Sequence, residues 1–186
     1  MPAFAANSTP LEITSPDYPD IPELPELPEL PELPELPEKN KFPMPDEYFM
    51  KKALDEAKAA FGRDEVPVGA VVVCKDRIIA RAHNLVETLT DVTAHAEMQA
   101  VTAAANHLGG KYLNECTLYV TVEPCTMCAG ALGWAQLGRL VYGASDPKRG
   151  FSVYAPDALH PKTEVTAGVM EEECAALMKD FFKKKR

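Results

Sequence analysis

The chain has 186 residues, 46% hydrophobic and 25% charged, with a net charge of −9, enough apolar material for one packed domain plus an appendage. No apolar run approaches the roughly 20 residues of a membrane span, and the N-terminus lacks the basic-then-apolar order of a secretory leader. Five cysteines without an export signal point to reduced thiols or metal ligands in the cytoplasm rather than to a disulfide framework.

Residues 1–43 read as a disordered, low-complexity tail. Twelve of the 17 prolines lie between Pro2 and Pro45, and from Pro22 the triplet Pro-Glu-Leu runs five times before closing with Pro37-Glu38-Lys39. Proline at every third position removes backbone donors and disfavours helix, and three residues per turn is the polyproline II period. The tail reads as solvated chain, or alternatively as a spacer or a ligand for a proline-binding groove. Met44 stands directly before the first helical pattern, and translation starting there would leave the tail out. Residues 1–43 hold nine acidic residues and two lysines, so most of the net charge is theirs and residues 44–186 are close to neutral. Near-neutrality neither requires nor excludes a nucleic-acid partner, because a local basic patch suffices to steer one.

The pattern changes at Asp46. Tyr48, Phe49, Ala53, Leu54, Ala57, Ala60 and Phe61 recur at helical spacing until Gly62. Val68–Cys74 is a β-branched run of the buried-strand kind, Lys75-Asp76 a turn, and Arg77–Arg81 a second strand. An Ala-rich helix covers Thr93–Leu108 after Asp91 and stops at Gly109-Gly110. A strand at Thr117–Val122, a helix at Cys125–Leu137 and a strand at Arg139–Gly143 follow, then a weaker strand at Thr163–Thr166 and a closing helix at Val169–Phe182. Residues 144–162 carry no clear pattern. Strands alternating with helices define an α/β layered domain over residues 44–186.

Two short motifs carry chemistry: His95-Ala96-Glu97 and Pro124-Cys125-Thr126-Met127-Cys128. Zinc takes imidazole nitrogen and thiolate sulfur tetrahedrally, and a catalytic site uses three protein ligands and leaves the fourth position for water. His95, Cys125 and Cys128 supply three. The cysteines are three apart at a helix start, where the dipole favours thiolate and where Pro124 gives up no needed donor. Zinc makes hydroxide available near neutral pH, and Glu97, two residues from His95, is placed to carry the proton to a leaving amine. This layout resembles that of the zinc nucleobase deaminases. A Cys-x-x-Cys alone also fits a redox pair or half a structural site, but His83, His107, Cys74 and Cys116 are not spaced to supply a second knuckle.

With these motifs in place the sequence resembles the tRNA adenosine deaminases from about Tyr48 to Phe182. The resemblance also rests on Glu65-Val66-Pro67-Val68-Gly69-Ala70, Thr93-Ala94-His95-Ala96-Glu97, Leu118-Tyr119-Val120-Thr121, Glu123-Pro124-Cys125 with Met127-Cys128-Ala129-Gly130-Ala131, and Glu173-Cys174-Ala175-Ala176-Leu177. It implies a three-layer α/β/α sandwich around a mixed five-stranded sheet, one Zn2+ per subunit, a homodimer, and conversion of the wobble adenosine of a tRNA anticodon loop to inosine. It implies that Asn84 binds the target base and that Glu65, Val66 and Pro67 line the nucleoside pocket. It further implies that Asp146, Lys148 and the Phe181–Phe182 region meet flanking nucleotides. Three departures stand out: Val92 where the family carries proline, Trp134-Ala135 as in guanine deaminases, and a shortened stretch after Gly150. A free-base or nucleoside deaminase of guanine or cytosine type is therefore the alternative substrate reading, and a non-catalytic zinc-stabilised RNA-binding protein is a third.

Among the remaining residues, Cys74 and Cys174 read as core and Cys116 has no evident partner. His83 reads as a surface or loop residue and Trp134 as packing, or at most as lying near an interface. His107 suits a helix end, His160 is a weak candidate for phosphate, and Lys183–Arg186 form a solvated basic tip.

Overall fold

The structure, a computed structural model, describes residues 44–186; the Pro-Glu-Leu tail lies outside the described residues. The elements are α1 (Asp46–Gly62), β1 (Gly69–Cys74), β2 (Arg77–His83), α2 (Val86–Leu89), α3 (Ala96–Leu108), β3 (Cys116–Val122), α4 (Thr126–Trp134), β4 (Arg139–Ala144), α5 (Phe151–Tyr154), β5 (Glu164–Ala167) and α6 (Glu171–Lys184). The sheet order is β2-β1-β3-β4-β5. β1 pairs antiparallel with β2 and β3, whereas β3, β4 and β5 run parallel. The mixed five-stranded sheet expected from the resemblance is therefore present.

The two-residue period of the central strands divides the core in two. Ala70, Val72, Leu118, Val120, Leu140 and Tyr142 face one side with α3 and α4. Val71, Val73, Tyr119 and Val141 face the other with α1 and Cys174 of α6. Both faces of β1 and β3 are covered, which is why Val71–Val73 is an unbroken apolar run. Ala96, Ala100 and Ala104 of α3 repeat every four residues and are fully buried, so the small side chains let that helix lie close on the sheet. Gly69 performs the same service for α1: a Cβ there would collide with the backbone of Ala53 and Ala57.

A partly buried acid ties α1 to the sheet. Asp46, in the first turn of α1, accepts from Arg139 Nη1 at 2.8 Å, from Arg139 Nη2 at 2.7 Å and from Tyr119 Oη at 2.9 Å. The Arg139 guanidinium is the main cause holding Asp46 below its ordinary 3.8, with burial opposing it. Because the folded value is depressed, this contribution is fully present at neutral pH and is lost as pH falls through the lowered value. Asp46→Asn should accordingly lower the melting temperature at pH 7, and the gap to the unaltered protein should close in strongly acidic buffer, as thermal melts across pH would show.

Candidate active site

The site is built at the N-termini of two helices. His95 is the N-cap of α3 and Cys125 the N-cap of α4, both with extended backbone (ψ 155° and 171°) and neither bonding its own helix through its side chain. Each side chain is thus free to point outward from the helix end. Asp91 sets up the first of these ends: its Oδ1 accepts from Thr93 N at 2.8 Å and Thr93 Oγ1 at 2.7 Å. Cys128 is the third residue of α4 and is fully buried.

The three donors converge. His95 Nδ1 lies 3.7 Å from Cys125 Sγ and 3.6 Å from Cys128 Sγ, and all three atoms fall within 4.8 Å of one another. Zinc bonds of about 2.3 Å to sulfur and 2.0–2.1 Å to nitrogen at a tetrahedral angle put nitrogen and sulfur about 3.6 Å apart. The donor set and its spacing therefore fit zinc bound through Nδ1. The electrostatics agree. The neighbouring Cys128 thiol, with His95 beside it, holds Cys125 down to about 3. Cys128 in turn is pushed up by that neighbour and by burial, and the Cys125 sulfur raises His95. Two sulfurs competing for one proton, next to an imidazole they pull toward the charged form, are neutralised together by a shared cation.

Glu97, on the first turn of α3, is 4% exposed. Burial is the main cause pushing its carboxyl up. A carboxyl that holds a proton at higher pH than usual is suited to give and take one near neutrality.

A second cluster stands beside this one. Leu85 N–H donates to the Ala94 carbonyl at 3.0 Å, which joins the residue after Asn84 to the residue before His95. Asn84 is buried, and its Nδ2 donates to Glu65 at 3.1 Å. Glu65 is wholly buried and also accepts from Glu87 N at 3.2 Å and Thr88 N at 2.7 Å. Burial alone would raise it, but these donors outweigh burial and hold it below the usual carboxylate range. Both oxygens of Glu65 are thus engaged within the protein: it orients Asn84 and caps α2. Glu65→Ala would strand three donors, one of them buried on Asn84, and should cost about 3 kcal/mol or more, measurable by denaturant unfolding. Val66 is half-buried and Pro67 buried on the link between α1 and β1.

On the opposite flank, Glu123 has a role that the sequence motif Glu123-Pro124-Cys125 did not by itself assign. It is buried, and it accepts from Asp146 N at 2.9 Å and Ser152 N at 3.0 Å. It thereby pins the loop 145–150 beside Cys125, whose backbone bridges Gly150. A Cβ on Gly150 would collide with the Glu123 carboxyl. The one available signal was an acid at the end of a strand, directly before Pro124-Cys125. Asp146 Oδ1 accepts from Lys148 N at 2.9 Å and Arg149 N at 3.2 Å, and the Lys148 side chain is exposed.

Four expectations need correction. Phe181 is buried against Phe61, with ring centroids 5.7 Å apart, so of the Phe181–Phe182 pair only Phe182 faces outward. Trp134 is not packed but 87% exposed, because it falls on the outer face at the end of α4. His83 ends β2 rather than sitting in a loop, with Nδ1 3.0 Å from Glu56 Oε2 of α1. Cys116 does have a partner, Cys74, directly across the β1–β3 ladder.

Residues 44–186 match the MafB19-like deaminase family, the class that the sheet and the His-Cys-Cys triad already define. The tRNA-specific adenosine deaminase of Agrobacterium fabrum is 45% identical over 144 residues, spanning 75% of this chain and 95% of that one. A structure from a study of A-to-I editing by tRNA:A34 deaminases at the wobble position of transfer RNA is 46% identical, with a TM-score of 0.66, over 70% of this chain and 98% of that one. The guanine deaminase of Nitrosomonas europaea is 25% identical with a TM-score of 0.63, over 75% of this chain and 85% of that one. The chain belongs to the tRNA-specific adenosine deaminase family.

Proposed function

We propose that the chain hydrolyses adenosine to inosine at the wobble position of a tRNA anticodon loop, releasing ammonia. The observation that carries this reading is the convergence of His95 Nδ1, Cys125 Sγ and Cys128 Sγ within 4.8 Å, with Glu97 buried on the same helix end. In this reading those three residues hold one Zn2+, which supplies a hydroxide nucleophile at neutral pH. Glu97 moves the protons. It carries one from the attacking water to N1 of the base as the C6–O bond forms, then carries the remaining hydroxyl proton to the amine as the C6–N bond breaks and ammonia leaves. Asn84 has one amide hydrogen committed to Glu65, so its amide plane is fixed and its carbonyl is left to accept from the base. Val66 and Pro67 wall the base, while Asp146 and Lys148 meet the nucleotides on either side. A base splayed from a single-stranded loop enters such a pocket at lower cost than one extracted from a duplex.

The preference for RNA over a free base rests on identity and coverage together: 45% over 75% of this chain for the Agrobacterium enzyme, against 25% for the Nitrosomonas guanine deaminase and 40% over only 55% of this chain for a guanine deaminase of Bacillus subtilis. Assays with an anticodon stem-loop and with free guanine separate the two readings. In this reading the reaction is cytoplasmic, and among the described residues no helix is long and apolar enough to cross a membrane.

The homodimer belongs to the same proposal. Trp134 at the end of α4 and Val153 and Tyr154 of α5 are exposed by 87%, 58% and 60%, an apolar surface of the kind that marks an interface. Light scattering should return twice the chain mass, and Trp134→Ser should shift it toward the monomer.

A further inference from the structure

Cys74 and Cys116 face each other in register across the antiparallel β1–β3 ladder. The backbone shows which kind of pair they form. Asn84 N–H donates to the Val68 carbonyl at 3.1 Å, so even-numbered residues along β1 turn their peptide groups toward β2. Gly69 N–H, an odd-numbered one, reaches Thr121 Oγ1 on the β3 side. Cys74 follows the even series. It pairs with Arg77 across the Lys75-Asp76 turn, where both central residues have positive φ (50° and 60°), the geometry of a two-residue hairpin. Cys116 spends its N–H on the Leu113 carbonyl at 2.9 Å instead of on Cys74. The two cysteines are therefore a non-hydrogen-bonded pair, in which Cα atoms approach to about 4.5 Å and side chains are closest. That separation lies inside the roughly 4.4–6.8 Å range from which a disulfide closes.

Both side chains lie on the α3 side of the sheet. Cys116 is 2% exposed and Cys74 half-buried. Burial and the adjacent Cys74 thiol push Cys116 up to about 12, so the more accessible Cys74 is the thiol that an oxidant meets. The pair sits at the far end of β1 and β3 from the candidate active site, about 20 Å away along seven strand residues.

We propose that Cys74 and Cys116 are a reversible disulfide-forming site, oxidised by a peroxide and independent of the metal centre. The Cys74 sulfur attacks one peroxide oxygen, the O–O bond breaks, and a sulfenic acid and one water result. The Cys116 sulfur then attacks the Cys74 sulfur, an S–S bond forms and a second water leaves. The two thiols lose two electrons and two protons in all, and the peroxide gains them.

The test treats the full, zinc-loaded chain with hydrogen peroxide, quenches in acid, unfolds, alkylates and digests it for mass spectrometry. A peptide joining residues 74 and 116, two hydrogens lighter than its separate parts and released by dithiothreitol, is the expected result. The cross-linked form should melt a few degrees higher. Cys74→Ser and Cys116→Ala should each abolish the cross-link while keeping deaminase activity. Recovery of both residues as alkylated thiols, or of Cys74 as a sulfinic acid beside a free Cys116, would overturn the proposal.

Discussion

Glu97→Ala should slow inosine formation about 10²- to 10⁴-fold, the range of a positioned general acid–base, while leaving the zinc content unchanged. Glu97 is not one of the three converging donors, so its removal leaves His95, Cys125 and Cys128 in place. It is, however, 4% exposed, and burial raises its pKa, so no solvent carboxylate or bulk water can easily replace it in the same position. Glu97→Gln keeps the shape and the hydrogen bonds but cannot exchange a proton, and it should lose as much. Single-turnover kinetics with metal analysis on the same preparation check both variants. Activity within a few fold of the unaltered chain would assign the proton transfer elsewhere.

Cys128→Ala should act differently, removing metal and turnover together. Cys128 is fully buried and 3.6 Å from His95 Nδ1, and alanine leaves two donors where three are needed for tight tetrahedral binding. Zinc should fall well below one ion per chain. Deamination should drop on the order of 10³-fold or more, as several kcal/mol of transition-state stabilisation disappear. The melting temperature should fall as well, since ligand binding to the folded state stabilises it. A chelator applied to the unaltered chain should reproduce all three effects, and added zinc should reverse them only there. Full zinc in Cys128→Ala would place the metal on other residues.

The long elements and the triad were legible because local chemistry fixes them. The β-branched run at Val71–Val73, the Ala-rich period of α3 and its end at Gly109, which adopts φ 64°, each state their structure without help from distant residues. So did the triad, because both motifs sit at helix N-termini that the sequence marks on its own. The two one-turn helices were not legible, and for one reason. α2 is capped by Glu65, which accepts from Glu87 N and Thr88 N, and α5 is held by Glu123, which accepts from Ser152 N. Each cap comes from more than 20 residues away, so no window around Val86 or Phe151 contains the group that stabilises it. The same long-range bonds hid the part Glu65 plays. Resemblance placed it in the pocket wall, whereas its hydrogen bonds make it the residue that positions Asn84. Strand register, invisible in a linear sequence, likewise hid the pairing of Cys74 with Cys116.

The zinc-loaded chain should be incubated with an anticodon stem-loop carrying adenosine at the wobble position, and the nucleosides then separated by chromatography. Inosine should appear in place of that one adenosine and should be absent with Glu97→Ala. Unchanged adenosine, together with ammonia released from free guanine by the same preparation, would contradict the assignment to RNA.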